Sequence, residues 1–200
     1  MKRTFDFLMA LLAIIILLPV FFLIAVLVVL DSKGPIIYRQ KRVGFNKIDF
    51  NLYKFRTMVV NQSGSSQITI GSRDPRITRV GYWLRKYKLD ELPQLFNIVK
   101  GDMSFVGPRP EVRKYVDLYS REQERVFSVR PGLTDWASIK FSNESDLLAS
   151  ARDPEAFYIQ QVVPEKLSMN LKYIEKQSFW VDCTIILLTL KKIVISRQVS

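Results

Sequence analysis

The sequence predicts an α+β protein that is mainly helical, with a small β-hairpin and a membrane-anchoring helix at its start. Three observations support this class. An uncharged apolar run covers residues 7–30, two alternating segments flank residues 44–46, and helical spacing of apolar residues recurs through most of the remaining chain. We therefore expect an anchoring segment over residues 1–32 and one folded domain over residues 33–200.

The apolar run is long enough to form a membrane helix that crosses a hydrocarbon core about 30 Å thick. A secretory signal peptide fits poorly, because the run is too long and no small-residue cleavage site follows it. Pro19 lies in the middle of the run, where it favours a kink. A helix broken at Pro19 that re-enters one leaflet and an ordinary single span both remain open. Basic residues flank the run and favour the cytoplasmic side for both ends: Lys2, Arg3, Lys33, Arg39, Lys41 and Arg42.

The composition limits the chemistry that the folded domain can perform. The chain has 30 Lys and Arg against 19 Asp and Glu, and its formal charge of +11 favours anionic partners such as nucleic acid, lipid headgroups or phosphorylated small molecules. It has no histidine and one cysteine, Cys183, which argues against a zinc site, imidazole catalysis and an intrachain disulfide. Carboxylates and lysines remain as proton carriers, and any metal would be a hard cation such as Mg²⁺ held by oxygen atoms.

The segment after residue 35 has the pattern of a β-hairpin. In its second arm Ile48, Phe50 and Leu52 alternate on one face, and a continuing strand would place Lys54 and Arg56 on that face as well. These two cations are either solvated edge residues or the point where the sheet opens onto an anionic ligand. A polar loop is expected at 61–66.

Helices are expected through most of the remaining chain. Pro93 suits the first turn of one of them, and Gly101 suits the position just after its end. Residues 179–195 form an amphipathic helix that either packs on the core or lies at the bilayer surface. The other helical patterns cover three stretches, and prolines mark two further starts: 77–87, 92–100, 111–127, Asp153-Pro154 and Pro164.

Asp90 and Glu91 stand just before a predicted helix, where acidic residues commonly act as caps. Capping is therefore the simplest interpretation of the pair. Arg85, Lys86 and Lys88 are near in sequence, and their charges would lower the pKa of a carboxylate and keep it ionised. An ionised carboxylate could act as a nucleophile toward phosphorus or as an Mg²⁺ ligand.

Two arginines have backbones suited to holding an anion. Arg109 lies between Pro108 and Pro110, so its guanidinium extends from a stiff backbone and could bind phosphate bidentately. A salt-bridged turn is the alternative, and Arg130, which precedes Pro131, has the same two interpretations. The sequence has no Walker loop, GxGxxG or HExxH motif, so ATPase, dinucleotide-binding and zinc-protease functions have no support.

Four motifs taken together indicate one family. They are YKFRTM at 53–58, DPRITRVGYWLRK at 74–86, KLDELPQLFNIVKGDMSFVGPRP at 88–110 and RPGLT at 130–134. With the apolar start, they closely resemble the bacterial sugar transferase family, the small monotopic phosphoglycosyl transferases that begin glycoconjugate assembly. The similarity extends over nearly the whole chain, and the block at 88–110 is its most specific part.

The resemblance implies that a phospho-sugar passes from a UDP-sugar to a polyprenyl phosphate, such as undecaprenyl phosphate, with release of UMP. It implies a ping-pong route in which Asp90 is the nucleophile, forms a covalent aspartyl phospho-sugar and binds Mg²⁺, while Glu91 supports it. Positions that line the family's site correspond here to Arg56, Arg85, Gln94, Arg109 and Arg130.

The family's first helix is re-entrant and broken at a proline. That arrangement implies a catalytic domain over residues 33–200 on the cytoplasmic face of the bacterial inner membrane, in contact with membrane lipid. No nucleic acid partner is implied, and a homodimer remains open.

One departure from the family pattern concerns the residues after RPGLT. Asp135 and Trp136 follow this motif, where members commonly have a glycine, in a region that would shape sugar recognition, so the sugar stays undetermined.

A different class of function is a non-enzymatic membrane module that binds anionic lipid or nucleic acid. It would explain the charge and the anchor, but it gives the paired acids and the GPRP segment no purpose, and no nucleic-acid fold signature is present.

Overall fold

The computed structural model describes residues 2–59 and 74–195, so the polar loop predicted at 61–66 lies outside the described residues. The fold is mainly helical with two small sheets, which confirms the predicted class. In chain order the elements are α1 (Lys2–Asp31), β1 (Ile37–Val43), β2 (Asp49–Phe55), α2 (Arg79–Lys86), α3 (Gln94–Lys100), β3 (Ser104–Val106), α4 (Arg113–Val116), β4 (Gly132–Thr134), α5 (Trp136–Lys140), α6 (Glu144–Ala149), α7 (Pro154–Phe157), α8 (Val163–Glu175) and α9 (Phe179–Ile195). Short 3-10 helices lie at Phe45–Lys47, Leu89–Glu91 and Gln123–Ser128, and a π-helical turn at Tyr158–Val162 leads into α8.

Helix α1 extends from Lys2 to Asp31 and contains Pro19. Within residues 2–59 and 74–195 it is the helix long and apolar enough to cross a membrane. Its buried residues recur mostly at intervals of four and mark one face, at Asp6, Ala10, Ile14, Ile24 and Val28. Large apolar side chains elsewhere on the helix are exposed, among them Leu8, Ile15, Ile16, Phe22 and Leu30.

Both ends of α1 are bound to the folded domain. Near the start, Arg3 donates to the carbonyl of Val99 at 2.8 Å, and the Ser104 hydroxyl donates to the Asp6 carboxylate at 2.8 Å. At the other end, the backbone amide of Val80 donates to Asp31 at 2.9 Å. A helix of 30 residues is roughly 45 Å long at about 1.5 Å per residue, so α1 lies along the domain over this whole length.

The two sheets differ in how well the sequence predicts them. β1 and β2 form the predicted antiparallel hairpin, in which Leu52 is buried and Phe50 packs beside it, while Ile48 precedes β2 and is exposed. β3 and β4 form a parallel pair with Ser104 opposite Gly132, which the sequence analysis did not predict. Strands of three residues are too short to show a convincing alternating pattern.

The single helix predicted at 111–127 is wrong. Helix α4 ends at Val116, and a 3-10 helix begins only at Gln123. Ser120 and Gln123 form a reciprocal capping pair between them: the Ser120 amide donates to the Gln123 side chain at 2.8 Å, and the Gln123 amide donates to the Ser120 hydroxyl at 3.3 Å. Such a capping box starts a new helix and therefore interrupts the earlier one.

The other predicted helices are confirmed with small shifts in their ends. α2 begins after Thr78, whose hydroxyl accepts from the Gly81 amide at 3.0 Å. α3 begins at Gln94 with Pro93 as its cap, and it ends at Gly101, whose φ of 97° is a left-handed conformation that glycine adopts easily. The helices predicted at the two later prolines correspond to α7 and α8, and the final amphipathic segment is α9.

Helix α1 helps to build the core that supports α3. Ala10 and Ile14 of α1 pack with Leu52 of β2 and with Leu95 and Ile98 of α3. A larger core lies further along the chain and joins β1, α4, the 3-10 helix at 123–128, α6 and α8 through Val43, Val112, Tyr115, Val116, Val126, Phe127, Leu148, Tyr158, Val162, Val163 and Leu167. The anchoring helix is thus part of the domain's own packing.

Replacing Gly81 by alanine should destabilise the protein. A Cβ atom at this position would lie 2.2 Å from the carbonyl oxygen of Thr57, and backbone cannot move aside as a side chain can. We expect a loss of about 1–3 kcal/mol from this overlap, although alanine elsewhere in a helix stabilises by about 1 kcal/mol relative to glycine. Thermal unfolding of the full chain in detergent measures the effect. Arg79→Ala, at an exposed position of the same helix, is the control, and a G81A melting temperature at or above that of the wild type would contradict the packing.

Candidate active site

Asp90 and Glu91 lie in a tight 3-10 turn between α2 and α3, close to the predicted position at a helix start. Lys88 precedes the turn with a left-handed backbone, φ 56° and ψ 20°, which reverses the chain after α2. Pro93 follows the turn and caps α3. The turn places both carboxyl groups inside the protein, and Asp90 is only 6% exposed.

A buried asparagine fixes α3 against the hairpin. The Asn97 side chain accepts from the backbone amide of Tyr53 at 3.0 Å and donates to the carbonyl of Asn51 at 2.8 Å. Two hydrogen bonds to one strand set the register of α3 along β2. The turn that begins α3 is therefore held beside Lys54, the next residue of that strand.

Glu91 is the shared partner of two cations. Its Oε1 accepts from Lys54 Nζ at 3.0 Å and forms an ion pair with Arg109 Nη2. Burial alone would raise the pKa of Glu91, but Arg109 and Lys54 together hold that pKa well below its ordinary value. Burial lowers the pKa of Lys54, an effect that the Glu91 charge partly offsets. Of the two strand cations considered above, Lys54 and Arg56, Lys54 is thus the one that pairs with a carboxylate.

Arg109 is held in place by its backbone as well as by its side chain. Its Nη1 donates to the carbonyl of Leu133 at 3.3 Å, and its amide donates to Asp135 Oδ2 at 3.1 Å. The other oxygen of Asp135 accepts from the Ser138 amide and caps α5. Asp135 is fully buried, and the sequence analysis had assigned it no role at this site. The sequence feature that could have pointed to Asp135 is its departure from the glycine that family members commonly have in this region.

Of the two adjacent acids, Asp90 is the one that forms no ion pair with a described residue. Its Oδ1 is buried and has no hydrogen-bond partner in the described part of the chain. Burial and then the charge of Glu91 raise its pKa, and the opposing effects of Lys54, Lys88 and Arg85 are smaller. The expectation that Arg85, Lys86 and Lys88 would lower the pKa of a carboxylate here is wrong for Asp90, and the low pKa of Glu91 comes mainly from Arg109 and Lys54. Burial dominates at Asp90 because Glu91 already binds the closest cations.

Arg85 lies on the same side of the molecule as the acidic pair. Its Nε donates to the Thr57 hydroxyl at 3.1 Å. Burial lowers the pKa of Arg85, and the negative charge of Asp90 opposes that change. Arg85 and Asp90 are therefore close enough to interact electrostatically. Arg85 and Arg109 thus both lie close to the acidic pair.

A cavity of about 1260 Å³ opens beside the acidic pair. Its walls come from the turn at 88–91, the GPRP segment and the region around α5, α6 and α8. The charged groups on the wall nearest the pair are Arg42, Lys54, Arg85, Lys86, Lys88, Asp90, Glu91, Arg109 and Glu111. Because cations outnumber carboxylates two to one there, this wall favours anionic groups such as phosphates.

Three predicted binding residues lie elsewhere, and none of them lines the cavity. Arg56 donates to the carbonyls of Val28 at 3.0 Å and Pro35 at 2.8 Å, so it binds the end of α1. Gln94 is 1% exposed, and its Nε2 has no hydrogen-bond partner. Arg130 is exposed and donates to the carbonyl of Gly101 at 2.9 Å. Their positions correct the expectation that all five polar positions line one site.

A magnesium ion could be held by Asp90. Among the described residues no three acidic, histidine or cysteine side chains converge. Mg²⁺ commonly binds one or two carboxylates together with substrate phosphates. The unpartnered Oδ1 of Asp90, on a cavity wall that favours phosphates, fits that kind of site.

The family described as "Bacterial sugar transferase" matches residues 1–196 of the chain. The undecaprenyl-phosphate glucose phosphotransferase of Komagataeibacter xylinus is 39% identical over 204 aligned residues, which cover 98% of this chain and 36% of that protein. A UDP-N-acetylgalactosamine-undecaprenyl-phosphate N-acetylgalactosaminephosphotransferase of Aeromonas hydrophila is 38% identical over 195 residues, covering 96% of this chain and 43% of that protein. The chain thus spans about two fifths of the length of these relatives. By contrast, it covers 90% of the uncharacterized sugar transferase EpsL of Bacillus subtilis, which is 35% identical over 205 residues.

The two acids should affect stability in opposite directions. Asp90→Asn removes a buried charge that lacks an ion pair, so we expect it to stabilise the protein by about 1–3 kcal/mol at neutral pH. Glu91→Gln leaves Lys54 and Arg109 without their anion, so we expect a loss of about 3–5 kcal/mol. Thermal unfolding of the full chain in detergent measures both, with Asp117→Asn at an exposed position as the control.

The pH dependence of this difference follows from the raised pKa of Asp90. An acid whose pKa is raised by folding favours the folded state below its unfolded pKa, and that stability is lost as the pH rises through the folded value. The advantage of D90N over the wild type should therefore shrink as the pH falls toward about 4. An advantage that stays constant from pH 8 to pH 4, or a loss of stability in D90N at pH 8, would contradict the assignment of a buried, unpaired carboxylate.

Proposed function

This chain belongs to the bacterial sugar transferase family, and from that premise we propose that it transfers a phospho-sugar from a UDP-sugar to a polyprenyl phosphate. The products would be a polyprenyl-diphospho-sugar and UMP. The proposal agrees with the names of two relatives, which describe them as sugar phosphotransferases that act on undecaprenyl phosphate. Such a reaction would serve the assembly of a glycoconjugate, as the name of a third relative, an exopolysaccharide production protein, suggests for that protein.

One observation carries this function: Asp90, which forms no ion pair with a described residue, lines a cavity rich in cations beside Glu91, whose Oε1 is paired with both Lys54 and Arg109. Two cations on one oxygen of a carboxylate withdraw charge from the group and make it a weaker nucleophile. Glu91 binds Lys54 and Arg109, and this leaves an oxygen of Asp90 available to attack phosphorus. The same cations bring positive charge to where a diphosphate would lie.

The reaction would take place in two displacements at one phosphorus atom. The Asp90 carboxylate attacks the phosphorus that bears the sugar. The bond between that phosphorus and the bridging oxygen of the diphosphate breaks, and UMP leaves with the bridging oxygen. An oxygen of the polyprenyl phosphate then attacks the same phosphorus, breaks the aspartyl–phosphate bond and restores Asp90. Neither step requires a proton from the protein, which suits a chain without histidine.

Three side chains have distinct tasks in this scheme. Arg109, held by Asp135 and Leu133, would bind the donor phosphates from a fixed position. Lys54 would neutralise Glu91 and add positive charge. Arg85 would favour the ionised form of Asp90 once a ligand displaces water. When bound at Asp90, Mg²⁺ would supply further neutralisation of phosphate charge.

The membrane arrangement we favour has both ends of α1 on the cytoplasmic side of the inner membrane. Two observations support it: both ends of α1 are bound to the folded domain, and basic residues flank each end. α1 would then enter the leaflet without crossing it. α9 would lie at the bilayer surface, since Trp180 is 77% exposed and Phe179 and Leu187 are exposed beside it.

Substitution of the nucleophile should abolish turnover without releasing the protein from the membrane. We expect Asp90→Asn to lower UMP release from a panel of UDP-sugars, with a polyprenyl phosphate present, by about 10³-fold or more. Membrane fractionation and thermal unfolding should show that the variant is folded and membrane-bound. Asp117→Asn, outside the cavity, should keep wild-type turnover, and undiminished UMP release by D90N would refute the assignment.

Cysteine labelling tests the membrane arrangement. In a Cys183→Ser background, one cysteine is added before Met1 and another replaces the exposed Lys33 in a separate variant. Both should react with a membrane-impermeant maleimide in inverted vesicles, and neither should react in intact spheroplasts, until detergent is added. Reaction of the amino-terminal cysteine from the outer face alone would indicate a single span instead.

A further inference from the structure

The cavity beside Asp90 collects polar atoms that lack partners. In residues 2–59 and 74–195, six buried side-chain nitrogen or oxygen atoms have no hydrogen-bond partner. Four of them belong to residues that line this cavity: Arg42 Nε, Asp90 Oδ1, Ser138 Oγ and Asn170 Oδ1. Native proteins pair nearly all buried polar atoms, so such a concentration indicates that a ligand supplies the missing partners.

Ser138 and Asn170 lie away from the ion pairs of Glu91 but are connected to them. Ser138 is in α5, and its amide donates to Asp135, the residue that also accepts from the Arg109 amide. Asn170 is in α8 and only 4% exposed. One turn later in α8, the Tyr173 hydroxyl donates to Asp182 at 2.6 Å and also lies 3.3 Å from the carbonyl oxygen of Val106, just before the GPRP segment. Both residues therefore sit on elements that are attached to the backbone around Arg109.

The charged residues that line the cavity after residue 134 differ in their balance of charge from those up to residue 111. Two lysines and three carboxylates lie there: Lys166, Lys192, Asp135, Glu144 and Asp146. Lys166 is paired with Glu144 and lies over the ring of Phe141, and Asp135 uses its oxygens on two backbone amides. This part of the lining therefore offers no excess positive charge to a phosphate. It offers a hydroxyl and an amide to a neutral polar group.

We propose that Ser138 and Asn170 form the subsite for the neutral, hydroxyl-bearing ring of the donor, and that this ring is the sugar. The proposal rests on the proposed function, since it assumes that the donor's phosphates lie at Lys54, Arg85 and Arg109. Sugar hydroxyl and acylamino groups both donate and accept hydrogen bonds, as do a serine hydroxyl and an asparagine amide. The ribose and base of the nucleotide share this chemistry, so the experiment separates the two rings.

Binding measurements with and without the sugar test the subsite. The full chain is placed in lipid nanodiscs with Asp90→Asn, a substitution that prevents turnover. Dissociation constants can then be measured for UDP and for a panel of UDP-sugars. Adding Ser138→Ala or Asn170→Leu should weaken binding of the preferred UDP-sugar by about two- to tenfold, the range expected for one hydrogen bond. Binding of UDP should stay within about twofold, because UDP lacks the ring that these residues contact. Ser128→Ala, at an exposed position outside the cavity, is the matched control and should change neither value.

Thermal unfolding distinguishes this role from a structural one. Neither Ser138 Oγ nor Asn170 Oδ1 has a partner in the protein, so the melting temperature of both variants should stay at or above that of the D90N background. A fall in melting temperature together with equal weakening of UDP and UDP-sugars would overturn the subsite. Selective weakening of UDP itself would place the nucleotide there and also overturn it.

The remaining outcomes separate this proposal from the proposed function. If UDP-sugars bind the D90N chain more tightly than UDP does, and both substitutions leave that preference unchanged, the subsite is wrong and the transferase function stands. If no UDP-sugar in the panel binds at all, the transferase function fails and the subsite fails with it.

Discussion

The ion pairs of Glu91 with Lys54 and Arg109 are the constraint on which the site depends. They join three separate parts of the chain: the second strand of the hairpin, the turn before α3 and the GPRP segment. A buried carboxylate that binds two cations is stable only when all three segments are in place. Its neighbour Asp90 is left with the burial but without the partners, and this asymmetry turns two adjacent acids into different chemical groups.

Helix α1 supports the same part of the molecule. Its residues pack against β2, which carries Lys54, and against α3, which directly follows the turn that carries Glu91. Arg56 has a part in this arrangement as well, because it binds carbonyls at the end of α1. The distance between the acidic pair and the apolar face of α1 is thereby set by packed structure, which suits chemistry between a soluble donor and a lipid acceptor.

The site uses no histidine and needs none for the proposed reaction. Transfer of a phosphoryl group depends on charge neutralisation and alignment more than on proton transfer. Arginine and lysine supply the charge here, and Asp135 fixes the backbone of Arg109 so that its guanidinium need not be ordered on binding. The cavity lining combines these cations with the Ser138 hydroxyl and the Asn170 amide, a combination that matches a donor made of phosphates and a sugar.

The sequence by itself determined the class of fold, the long apolar first helix, the hairpin, the position of Asp90 and Glu91 at a helix start and the family, because apolar periodicity, proline, glycine and motif order are local properties. It could not separate the two acids, since their pKa values depend on burial and on Lys54, which is distant in sequence. Nor could motif membership distinguish Arg109, which meets Glu91, from Arg56 and Arg130, which bind backbone elsewhere. Only the tertiary structure decided these matters, because packing brings separate segments together and chooses which charge is neutralised.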